Sequence, residues 1–327
     1  MSDRGLFYKE WKQNHVTFVL ISAVLVFLNP LSIINNYFKY QSCLSTQNQY
    51  PDYECKYTVD FSDMGLILLH LAPAVILAVI QLGIDRSKGV LEYTLSLPYS
   101  RSQVFHAKFI IGASIIISSQ LFAYLLSELM IFLTHPGKVI FFHHYIAGMM
   151  IISLLAYSLL LAAGSLTGNV IAQLLTALSV SVLPYLIILL LAVNAGIIFG
   201  ESVIPEINFP WSGIVIYFLP IVYIHPAWLG YSKYILLIPA AMSILFYLIG
   251  LFCFIHHPNE RRGYFFLWKK FERPIQILVI AIGILGFGAF GYYSVNSYFG
   301  YAFGMLIGAV IGFLISYFLI YKKTKLI

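Results

Sequence analysis

Charge is scarce in this chain. Asp, Glu, Lys and Arg make up 10% of its 327 residues, against roughly 25% in ordinary soluble domains. With 60% hydrophobic residues, a fold of this size cannot hide its apolar surface from water, so most of the chain must face lipid or other membrane helices. Catalytic signatures are missing too. There is no H-E-x-x-H and no G-x-S-x-G, and Gly137-Lys138 runs on into Val139, with no hydroxyl to hold magnesium. The chain therefore shows no means of hydrolysing a nucleotide, and neither a catalytic residue nor a metal site is expected in it. Cleavable-leader features are also absent: the first apolar run continues without a small-residue cleavage site and reads as a signal anchor. The net charge of +6 does not point to nucleic acid, because the basic residues cluster beside apolar spans.

What is present is a series of eight apolar runs, at 16–34, 64–84, 109–133, 145–166, 170–199, 235–255, 274–293 and 301–321. Each is long enough for about 30 Å of hydrocarbon, and together they predict an all-α integral membrane protein. Pro30 should kink or end the first span. Ahead of it, Leu6, Phe7 and Trp11 share a face beside Arg4, Lys9 and Lys12, the pattern of a short helix lying in the membrane interface. Residues 264–270 have a similar composition and predict a similar element before the seventh span. The segment 213–229 is apolar but carries Pro220, His225 and Pro226. If it does not cross, 15 of the 19 basic residues lie on one side. That asymmetry marks the cytoplasmic side, places both termini there and makes 201–233 an outer re-entrant or interfacial element.

Cysteine is rare. Cys43 and Cys55 then share an outer loop, where a disulfide would restrict the unfolded chain; two free thiols are the alternative. Glu128 is the one acidic residue deep in a span. It is either a substrate- or proton-handling carboxylate or a residue reaching for the outer interface. His70, Gln81, Gln120, Asn169, Gln173 and Asn194 are expected to hydrogen-bond between helices. Gly304, Gly308 and Gly312 form a small-residue stripe that lets another helix approach closely.

The longest charged interruption in the first half is 85–109. Lipid cannot hold Asp85, Arg86, Lys88, Glu92 and Arg101 together without water or a protein partner. Residues 87–97 can form a short helix that Pro98 breaks, and Ser100 with Gln103 has capping-box spacing for a new one. The stretch is thus an elbow ahead of span three.

The run Gly89-x-Leu91-Glu92-x-x-Leu95-Ser96-Leu97-Pro98-x-Ser100-Arg101, followed by Lys108, resembles the first cytoplasmic loop of type-2 ABC permeases. An interfacial helix before span one and an outer helical element between spans five and six stand in that family's order. The resemblance implies a six-span permease core over 1–257, leaving 258–327 as a basic segment and two extra spans. It implies a plasma-membrane subunit that pairs with a second permease, the same or a related one, and with ABC ATPase subunits that carry the ATP and magnesium. Gly89, Leu91, Glu92, Leu95, Pro98, Ser100 and Arg101 would contact the ATPase. Within the family, the size and the eight spans resemble permeases linked to acetoin utilisation. The competing reading is a membrane sensor or scaffold that recruits an ATPase without moving solute.

Overall fold

The computed structural model describes residues 4–47, 55–61, 67–199, 217–224, 233–256 and 263–321. Among them, eight helices are long and apolar enough to cross a membrane, in the order the apolar runs predict. α1 (Arg4–Gln47) carries the first. α2 (Ile67–Ala78) passes into a π-helical segment, Val79–Ile84, and then into α3 (Asp85–Ser87). The short α4 (Val90–Ser96) precedes α5 (Arg101–Thr134). α6 (Phe142–Leu166), α7 (Val170–Phe199), α8 (Leu237–His256), α9 (Glu272–Val295) and α10 (Tyr298–Tyr321) complete the set.

Two elements differ from expectation. α1 runs unbroken for 44 residues through Pro30, so the segment from Arg4 to His15 and the first span form one helix. Proline removes one backbone donor, which a packed membrane helix tolerates when its neighbours hold it in place. Here Asn29 Oδ1, next to that proline, accepts a 3.0 Å hydrogen bond from His70 Nε2 of α2, both side chains buried. The second difference lies at 263–268, a series of turns and bends and not a helix, before a single 3-10 turn at Lys269–Phe271. Phe266 bridges Thr167 in antiparallel fashion, and Leu267 N–H donates to Leu166 O at 2.9 Å. Phe266 and Leu267 are both buried, so packing onto the α6–α7 turn has overridden the amphipathic pattern. The expected outer element at 201–233 falls largely outside the described residues. Within it, Pro220–Ile224 and Lys233–Leu236 form 3-10 turns.

α6 is the central post. Of its apolar window, 72% is buried, against 11% for α7 and for α9. One apolar core joins α1, α2, α5 and α6 through Phe18, Leu25, Ala74, Phe105, Ile116 and Leu160. A second, through Ile33, Phe61, Tyr145, Met149, Tyr223 and Met242, lies toward the other end of the bundle. There β1 (Thr58–Asp60) and β2 (Lys138–Ile140) pair in parallel, Val59 opposite Val139. Strands this short carry no sequence signal of their own. Cys43 and Cys55 are joined by a disulfide with their Cα atoms 5.9 Å apart, which ties the end of α1 back to β1.

α9 and α10 form a hairpin. A Cβ on Gly308 would overlap the carbonyl of Gly283, and one on Gly304 would overlap that of Phe287. The small-residue stripe of α10 is therefore spent inside this chain. The hairpin is held to α7 by Asn194, whose amide donates to Leu285 O at 3.2 Å and whose oxygen accepts from Tyr301 at 2.8 Å.

Candidate functional site

The 85–109 stretch folds as an elbow because its residues leave little choice. Gly89 sits at φ 76°, in the left-handed region where a side chain is strained, and so separates α3 from α4. Leu97 is extended and ends α4 before Pro98. Ser100 Oγ accepts from Gln103 N–H at 3.2 Å, and Gln103 Oε1 accepts from Ser100 N–H at 2.9 Å. That reciprocal pair starts α5. Arg101 donates to Ile255 O at 3.0 Å, fastening the elbow to the last turn of α8, where a cation is favoured.

Beneath the elbow lies a buried charge cluster. Lys108 Nζ donates to Glu10 Oε2 at 2.7 Å and to Asp85 Oδ2 at 2.5 Å. All three side chains are buried. Lys9 donates to Glu10 at 2.9 Å and also to Thr94 of α4. Gln13 donates to Asp85 at 2.8 Å. Two lysines thus balance two carboxylates, as burial requires. The cluster joins α1, the end of span two, α4 and α5 at one point. Arg86, also buried, donates to Gly164 O at 2.6 Å and to Thr167 O, adding the α6–α7 turn.

One turn deeper, the π-helical segment presents Gln81. Its amide donates to Lys108 O at 3.1 Å and its oxygen accepts from Tyr157 at 2.5 Å. A π-turn widens a helix locally and is common at functional positions. Gln173 of α7 donates to Ala78 O and Leu160 O at 3.3 and 3.0 Å. Asn169 instead caps α7, accepting from Ala172 N–H at 2.7 Å. Gln120 is buried and makes no hydrogen bond among the described residues.

Of the seven residues assigned to ATPase contact, Leu91 is buried against the α1–α5 core and holds α4 in place. Leu95 packs partly against the same core, and Gly89 serves the turn. Pro98 and Ser100 are exposed, while Glu92 and Arg101 are partly covered. Tyr93, not singled out in the sequence, is 64% exposed at the crest of α4. Glu10 was also passed over. The signal was there: Leu6, Glu10 and Gln13 recur at spacings of four and three, which puts the glutamate on the inward face.

No family model matches this sequence. Across its full length, however, it is 52% identical to the probable ABC transporter permease YtrC of Bacillus subtilis, covering 99% of this chain and 100% of that protein. It is 50% identical to the probable ABC transporter permease YtrD of the same organism, with complete coverage of both. This chain belongs to the ABC transporter permeases. With its eight apolar helices the permease is accordingly a multi-pass membrane protein.

At the opposite end of α5 from the elbow, Glu128 of the permease accepts from Tyr124 at 3.0 Å and lies 3.7 Å from His143 Nδ1. Its side chain is 41% exposed, near the end of its helix and beside the start of α6. It is far from the buried charge cluster: 20 residues of α5 separate it from Lys108, about 30 Å at ~1.5 Å per residue.

Proposed function

We propose that the permease is the transmembrane subunit of an ATP-driven transporter, with ATP and magnesium held by separate ABC ATPase subunits. A second permease, identical or related, completes the pathway across the plasma membrane. Both termini and the 85–109 elbow lie on the cytoplasmic side. Residues 1–257 form the transporting core, with 258–327 an accessory segment. The ATPase seats on Tyr93, Glu92, Pro98, Ser100 and Arg101. The substrate reading that the family resemblance favours is acetoin or a related small hydroxyketone.

The observation that carries the coupling role is the Glu10–Lys108–Asp85 cluster under the elbow. A loop resting on water would absorb a push by flexing. This one is bonded through a lysine to spans one, two and three, and a displacement of α4 must be shared among them.

The test uses the permease reconstituted with its ATPase subunits and its second permease in proteoliposomes. Arg101→Glu and Tyr93→Ala are expected to leave the permease in the membrane. Substrate-stimulated ATP hydrolysis should drop at least tenfold in the first variant and severalfold in the second. Because Arg101 also holds α8, the Tyr93 variant separates docking from helix packing. Unchanged coupling in Tyr93→Ala would remove α4 as the seat. Intact ATP hydrolysis without flux of labelled acetoin or any other solute would move the assignment to a non-transporting sensor.

A further inference from the structure

The end of the bundle away from the elbow holds a cleft of about 370 Å³ lined by Glu128, Phe141, Phe142, His143 and His144, with Ile131 beneath. Three features set it apart from a carboxylate that merely reaches the interface. First, Glu128 is fixed in place. Tyr124 donates to it, and the Tyr124 ring is in turn stacked on Phe142, 5.5 Å between centroids and 18° between planes. Second, the histidine beside it has a defined role. The single Tyr124 hydroxyl proton goes to Glu128, so the 3.3 Å contact between Tyr124 Oη and His143 Nδ1 requires Nδ1–H to be the donor. Third, Phe141 is held at φ 60°, ψ 15°, a left-handed conformation uncommon for a bulky residue. It is nonetheless 47% exposed, so burial of its ring does not explain the strain. Strained residues of this kind concentrate at ligand sites.

We propose that this cleft binds an ammonium group. Glu128 is the one carboxylate of the lining, and the exposed ring of Phe141 stands beside it. A carboxylate with an exposed aromatic ring beside it is complementary to a compact cation. A primary ammonium can donate to the second Glu128 oxygen while its charge lies over the exposed ring face of Phe141. The cation has two sources, a soluble amine arriving from the aqueous side or the headgroup of an aminophospholipid in the adjoining leaflet. The site is independent of the proposed transport reading, since it lies at the other end of α5 from the coupling cluster and uses none of its residues.

The experiment uses the full chain, purified in a neutral maltoside detergent and separately reconstituted in nanodiscs. In detergent, equilibrium binding of radiolabelled phenethylamine is measured. In nanodiscs of mixed phosphatidylethanolamine and phosphatidylglycerol, the lipids retained through delipidation are counted by native mass spectrometry. Saturable binding in the first arm identifies a soluble amine, and selective retention of phosphatidylethanolamine in the second identifies a lipid. In whichever arm responds, Glu128→Gln should weaken binding at least tenfold, Glu128→Asp should recover part of it, and Phe141→Gly should weaken it about threefold despite relieving the backbone. Melting temperature and gel-filtration profile establish that each variant is folded. Equal binding by Glu128→Gln, or no saturable binding and no headgroup selectivity in either arm, would overturn the proposal.

Discussion

Lys108 is the residue on which the elbow depends. It is a cation with no access to water, held by two carboxylates from different helices. Removing it leaves Glu10 and Asp85 buried without their counter-charge, and broken buried pairs of this kind cost about 3–5 kcal/mol. Lys108→Met should therefore lower the unfolding free energy of the detergent-solubilised permease by that order, read from its denaturation curve. Lys108→Met combined with Glu10→Gln and Asp85→Asn should recover most of the loss, since no charge is then stranded. A single variant as stable as the parent would mean the cluster contributes nothing. The sequence marks Asp85 as a charge that water or a partner must satisfy. It does not show that Lys108 is that partner. Pairing across 98 residues, from Glu10 to Lys108, leaves no local pattern. The capping box at Ser100 was legible because both partners lie within one turn.

At the scale of elements, spans were easy to read and their joints were not. All eight apolar runs became helices, because the length and hydropathy of a span are properties of contiguous residues. The π-helical passage at Val79–Ile84, the turns and bends of 263–268 and the β1–β2 pair depend on neighbours distant in sequence, and none was foreseen. The glycine stripe lies between these cases: the spacing announced a close helix contact but could not name the partner. That partner is α9, and the packing gives a sharp expectation. Gly308→Leu places a branched side chain where the backbone of Gly283 stands, so α9 and α10 must separate. The variant should melt several degrees lower and become open to proteolysis at the Asn296–Ser297 turn. Coupled ATP hydrolysis should survive, because the hairpin touches the rest of the bundle mainly through α7. Resistance to cleavage equal to the parent would show that the two helices tolerate the intrusion.

For the whole molecule, the charge asymmetry and the connectivity make one statement about orientation. Ser96 and Lys39 are both exposed and lie toward opposite ends of the bundle. Cys253 is buried, and Cys43 and Cys55 are bonded to one another, so an introduced thiol reports its own side. A membrane-impermeant maleimide is expected to modify Lys39→Cys in intact cells and Ser96→Cys only in inside-out vesicles. The opposite pattern would invert the orientation and take the elbow away from any cytoplasmic ATPase. This expected orientation rests on lysine and arginine alone. Which faces of the helices meet was not legible, since the apolar residues run nearly all the way round most spans.

α1 has one further consequence. It is a single helix fastened at Glu10 to the charge cluster and at Cys43 to the strand platform, two anchorages about 50 Å apart at ~1.5 Å per residue. A rod pinned at both ends has no slack joint at which motion can be lost. A tilt imposed at the cluster is delivered to the strands in the same instant, scaled only by the position of the pivot. At the far end the Cys43–Cys55 bond is reinforced by Tyr37 and Tyr40, whose rings lie 5.8 and 5.2 Å from that of Tyr57. The permease thus carries one helix anchored covalently at one end and by paired charges at the other.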